Sequence, residues 1–173
     1  MYGIFHLAQF ITQDEAARTL VQSYGYFGVV LVSYIAGLNA VVPVPAVSFV
    51  PVFTAAGLWM PLIITMLIIG TTLADLTAYY LAALGRQFAA NKHPRIQEWT
   101  DWLATDGRDI YIAPFVFIYA TISPFPNEVI LVPLALAGIR LRVLIIPLLL
   151  GNIVFQTAFA LGFQSVFDYL IMM

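Results

Sequence analysis

Two carboxylates lie inside otherwise apolar stretches of this chain: Asp75, within Met60–Leu84, and Glu128, just after Pro124-Phe125-Pro126 and Asn127. An ionisable side chain in such surroundings is expensive to bury and points to function before structure. Glu128 falls in the first turn of the helix that must begin after the proline pair. Free N–H groups and the helix dipole at such a start stabilise an anion, either the carboxylate itself or a substrate phosphate. Burial in a low dielectric works the other way and favours the neutral acid. A carboxyl between these forces can exchange a proton; the structural alternative is a capping glutamate that ties down a broken tip. Asp75 has Tyr79 one helical turn on, followed by Tyr80. Gln156, with Asn152 one turn before it, takes the corresponding place in a second long apolar run, Val143–Gln164. The candidate site for substrate binding or proton coupling is Glu128, Asp75, Asn127, Tyr79, Arg86 and Gln156. No catalytic set accompanies it: His6 and His93 lie outside the apolar runs, and G-x-S-x-G is absent. The expectation is a protein without enzymatic activity, metal or cofactor. Interhelical hydrogen bonding is the simpler reading of Asn152 and Gln156, and close packing that of Gly57, Gly70, Gly138 and Gly151.

The elements that hold these residues are those of a membrane protein. The chain is 62% hydrophobic and 9% charged, against about 25% charged for a soluble domain. Met60–Leu84 carries a single charge and Val143–Gln164 none; each exceeds the roughly 20 residues that cross a bilayer. The N-terminus lacks a basic n-region, so a signal peptide is not expected. The absence of cysteine excludes disulfides, and a net charge of −2 leaves no basic footprint for nucleic acid.

The two halves are related. Pro43-Val44-Pro45 and Pro124-Phe125-Pro126 stand 81 residues apart, and the same offset carries Ala56-Gly57 onto Ala137-Gly138 and Gly70 onto Gly151. Repeated, proline-interrupted apolar segments are the sequence mark of an inverted-repeat transporter with a site near the midplane. The arms Tyr111–Ser123 and Asn127–Gly138 reach only ~20 Å at 1.5 Å per residue, short of a ~30 Å hydrocarbon core. Two prolines one residue apart stop a helix, and broken backbone at membrane depth needs protein or a wet cavity around it. Both hairpins therefore read as re-entrant, with Pro43, Pro45, Pro124 and Pro126 at the tips; short, tilted full spans are the alternative.

The expected fold is an all-α integral membrane protein of two inverted repeats, each a Pro-tipped re-entrant helical hairpin followed by a transmembrane helix. Residues 1–24 form an N-terminal interfacial amphipathic helix, 25–84 repeat 1, 85–109 a linker, 110–164 repeat 2 and 165–173 a C-terminal tail. Each repeat crosses once, so the linker and the turn Ile139–Arg142 share a side. That side holds Arg86, Lys92, Arg95, Arg108, Arg140 and Arg142, and the other only Arg18. The bias makes linker 85–109 cytoplasmic. Within it, Pro94–Ala104 reads as an amphipathic helix with Ile96, Trp99, Trp102 and Leu103 on one face, an interfacial anchor.

The pieces VPVPAVSFVPVFTAAG, GTTLADLTAYYLAALGR and SPFPNEVILVPLALAGI resemble the DedA family, also called the SNARE-associated or VTT-domain family. The resemblance runs from about Gly25 to Gly162. This chain departs from the family pattern as a divergent, short member. Ala46-Val47 follow Pro45 where Pro-Gly-Glu is usual, Ala74 precedes Asp75 where glycine is common, and no arginine stands in Phe115–Ser123. The family's usual Gly-Arg falls seven and eight residues after its Asp, whereas Gly85 and Arg86 fall ten and eleven after Asp75. The resemblance implies translocation of a lipid, a phospholipid or polyprenyl phosphate such as undecaprenyl phosphate, in a prokaryotic cytoplasmic (inner) membrane. Membrane lipids are then the partners, protons a candidate coupling ion, and homo-oligomerisation is open. A small-solute or drug exporter on the same scaffold and a non-transporting membrane assembly factor are the alternatives.

Overall fold

The computed structural model describes residues 15–38, 45–90, 109–123 and 125–172. Pro43 and Pro124, the segment before Glu15 and the linker helix Pro94–Ala104 lie outside the described residues. Among those described, every regular element is helical. Helix α1 spans Glu15–Gly37; a short 3-10 turn, Ala46–Phe49, leads into α2, Val50–Ala55; α3 spans Met60–Ala90, α4 Asp109–Ile122, α5 Glu128–Leu136 and α6 Leu141–Met172. Two of these, over Met60–Arg86 and Leu141–Val166, are long and apolar enough to cross a membrane.

The bounds differ from the sequence reading in two ways. Helix α1 runs through Gly25, where the boundary between an interfacial segment and the first hairpin was expected. Gly25 is a packing position there: a Cβ would sit 2.7 Å from Leu58 Cδ1. The long helices also continue past their apolar cores, α3 through Gly85 to Ala90 and α6 to Met172, where no proline interrupts them.

The chain forms two compact units, Met1–Thr71 with Gln156–Met173, and Thr72–Phe155. Each takes one hairpin, the opening part of the long helix that follows it, and the closing part of the other long helix.

In the first unit Val29, Val47, Val50, Ile63 and Leu67 are fully buried. Ser33 Oγ donates to Val29 O at 2.7 Å and packs where a Cβ on Gly70 would have to sit. Its hairpin closes on Gly57, whose φ of 90° suits glycine. Gly57 N–H reaches Thr54 O at 2.9 Å and Leu58 N–H reaches Phe53 O at 3.1 Å. This pair of bonds is a Schellman cap.

In the second unit the core is built on Val116, Ala120, Leu131, Leu144 and Leu148. Gly151 leaves the space that lets Ala120 and Phe117 O approach. The hairpin closes on Gly138, with φ 80°. Gly138 N–H bonds to Ala135 O at 2.9 Å and Ile139 N–H to Leu134 O at 3.0 Å, the same cap 81 residues later.

From the tips onward the offset of 81 also governs burial. Ile63, Leu67, Gly70, Asp75 and Tyr79 are buried, and so are Leu144, Leu148, Gly151, Gln156 and Ala160. Before the tips the offset is 87. The buried stripe Gly25, Val29, Ser33 of α1 corresponds to Ile112, Val116, Ala120 of α4, and Val30 and Ser33 stand to Gly70 as Phe117 and Ala120 do to Gly151. The change of offset from 87 to 81 corresponds to six extra residues between Ile35 and Pro43.

Candidate functional site

Asn127 immediately precedes α5 and has the residue type that ordinarily caps its own helix, yet its side chain makes no cap bond. Its Nδ2 donates instead to Asp75 Oδ2 at 3.1 Å and to Asn152 Oδ1 at 3.0 Å. Asn152 Nδ2 donates to the same Asp75 oxygen at 2.8 Å and to Thr72 Oγ1 at 3.4 Å. Three elements of the second unit therefore meet on one carboxylate oxygen: α3 brings Asp75 and Thr72, the second tip brings Asn127, and α6 brings Asn152. Asp75 and Asn152 are each 3% exposed. In such an environment hydrogen bonds to a charged group are the stronger kind, roughly 1.5–3 kcal/mol each.

Glu128 lies beside this cluster, near enough to act on Asp75 electrostatically. Both of its carboxylate oxygens are buried, and neither has a hydrogen-bond partner among the described residues. Among the described residues the carboxylate forms no bond that would tie down the tip. Tyr119 serves that purpose, its hydroxyl donating to Pro126 O at 3.3 Å.

The other candidates are placed elsewhere. The Tyr79 hydroxyl donates to Ile139 O at 2.8 Å, supporting the chain just after the Gly138 cap. Arg86 is exposed, and its guanidinium lies where a Cβ on Gly138 would sit. Gln156 belongs to the first unit, where its Nε2 donates to Thr71 Oγ1 at 3.4 Å and its Oε1 is buried without a partner. Thr71 and Gln156 are the positions equivalent to Asn152 and Asp75, with the two long helices exchanged. Pro45 is exposed and Pro126 half-buried.

Asn152 and Thr72 belong to the site although sequence reasoning gave the first only interhelical hydrogen bonding, which it does make, and passed over the second. The available signal was positional: Asn152 is one turn from the residue that matches Asp75. The cluster can hold a charged carboxylate, accept a proton or cation on the unpaired Glu128, and tie the second tip to two long helices. The described residues hold no group of three or more His, Cys, Asp or Glu side chains suited to a metal. Comparison of the chain with protein-family models, with curated proteins and with solved structures finds no match.

Proposed function

We propose that the chain is an integral membrane transporter of the DedA type, not an enzyme, that translocates a phospholipid or polyprenyl phosphate, with Asp75 and Glu128 as its proton-coupling pair. The observation that carries this reading is the buried Asp75–Asn127–Asn152 cluster with the unpaired Glu128 carboxylate beside it, in a unit otherwise closed by apolar side chains. Leaving a buried charge without compensation costs about 3–5 kcal/mol, so stability alone does not account for Glu128. The hairpins are read as re-entrant and the repeats as inverted. Reciprocal pairing supports the inversion: Asp75 meets Asn152 in one unit, and the exchanged positions Gln156 and Thr71 meet in the other. A two-fold relation between repeats produces this pattern. The six bases of 86–142 favour a cytoplasmic linker, with the protein in a prokaryotic cytoplasmic membrane.

The test is lipid translocation in proteoliposomes with acyl-labelled lipids. Glu128→Gln keeps shape and fixes neutrality; it should insert and fold normally yet lose roughly tenfold or more in rate, about 1.4 kcal/mol of barrier. Wild-type rates in the folded variant would remove the carboxylate from the mechanism. Topology is tested separately by single cysteines at the equivalent, exposed positions Trp59 and Arg140. Inverted repeats require an impermeant reagent to reach them from opposite faces; labelling from one face rules the inversion out.

A further inference from the structure

The hydrogen bonds of the second unit reveal which sign of charge the site accepts. Both amide hydrogens of Asn127 are engaged, on Asp75 and Asn152, and both of Asn152 on Asp75 and Thr72. Neither side-chain amide has a hydrogen left to meet an anion. Among the described residues, the acceptors left without a partner include both buried oxygens of Glu128. Asp75, 3% exposed, already receives two N–H groups on one oxygen, so it is the better compensated of the two acids.

The described bases of this unit do not supply the counter-charge. Arg140 and Arg142 are exposed at the start of α6. Arg86 lies against Gly138, beyond the far end of α5 from Glu128; ten residues of helix separate the two by ~15 Å. A phosphate brought to the cluster would face two carboxylates and no free side-chain amide, a like-charge contact that the low dielectric strengthens.

We infer that the group this site takes is a monovalent cation, an alkali ion or the ammonium of an amine-bearing head group, and that phosphate is excluded from it. The inference rests on the transport reading only for its lipid arm. A lipid that carries both charges would present its ammonium to Glu128 and leave its phosphate outside the cluster, whereas a polyprenyl phosphate has nothing to offer the free oxygens.

Two measurements on the full-length protein separate the possibilities. In detergent at constant ionic strength, sodium, potassium or methylammonium chloride replaces N-methylglucamine chloride while thermal unfolding is followed. A site occupied at about 100 Kd stabilises by about 2.7 kcal/mol, so the midpoint should rise saturably in wild type and stay flat in Glu128→Gln, which is checked for a monodisperse elution profile. In vesicles, acyl-labelled phosphatidylethanolamine should move roughly tenfold faster than acyl-labelled phosphatidylglycerol, a difference of about 1.4 kcal/mol, and Glu128→Gln should level the two. An alkali ion or methylammonium that stabilises wild type while no lipid moves upholds the cation site and fails the lipid reading. Transport of phosphatidylglycerol as fast as phosphatidylethanolamine, with no stabilisation by any cation, overturns the cation site and leaves lipid transport standing. Flat unfolding and no transport overturn both.

Discussion

The two units share a backbone plan and differ in what fills its polar positions. Each closes its hairpin with a Schellman cap on a positive-φ glycine, and each admits the first arm of its hairpin against a glycine of a long helix. At the three equivalent positions the first unit has Val47, Thr71 and Gln156, and the second Glu128, Asn152 and Asp75. Valine and two neutral side chains need little solvation, and the two polar ones share a single weak bond, at 3.4 Å. Two acids and an asparagine, joined by Asn127, make a connected network with one carboxylate left over. The packing plan is therefore indifferent to the chemistry installed on it.

Moving the chemistry across should break the first unit. Val47 is 0% exposed among apolar neighbours, and Val47→Glu would introduce an uncompensated charge at a cost of about 3–5 kcal/mol. Folded yield and thermal midpoint should fall sharply. Unchanged stability would mean that the two tips have similar polarity, and the comparison would lose its basis.

The next contrast removes polar groups at matching positions. Asp75→Ala leaves Asn127 and Asn152 N–H groups without their acceptor and should cost about 2–3 kcal/mol. Asp75→Asn, which retains an acceptor oxygen, should cost less. Gln156→Ala loses one long bond and should cost about 0.6 kcal/mol, the average for an interhelical hydrogen bond in a membrane. Chemical or thermal unfolding of the three variants tests the order. Equal losses at 75 and 156 would show that the polar network does not set the difference.

The smallest effect probes what is shared. Gly57→Ala and Gly138→Ala each force a β-carbon into the left-handed region, about 1–2 kcal/mol. At Gly138 the added methyl also meets the Arg86 guanidinium, the free end of an exposed side chain that can swing away. Similar losses at the two sites are expected by thermal unfolding. A distinctly larger loss at Gly138, abolished by Arg86→Ala, would reveal a fixed arginine.

Much of this was legible in the residues. Asp75 and Glu128 stood out because a charge in an apolar run has few bland explanations, whereas Gly57 and Gly138 were read as close-packing positions and prove to be positive-φ caps. Asn152 and Thr72 were harder, since a neutral polar side chain on a long helix looks the same whether it steadies a neighbour or a carboxylate. The relation between α1 and α4 was not legible. Its few identities, such as Val29 with Val116 and Ile35 with Ile122, are the residues any two apolar helices share. Only the buried stripe, visible once the helices are packed, fixes that register at 87.

The six extra residues of the first repeat have a consequence of phase. A helix turns about 100° per residue, so six residues inserted within α1 would swing its inward face by about 240°. The stripe Gly25, Val29, Ser33 would then point away from Gly70. It does not, because the extra length falls after Ile35, beyond that stripe. Length added beyond Ile35 therefore leaves the register of that stripe against Gly70 unchanged.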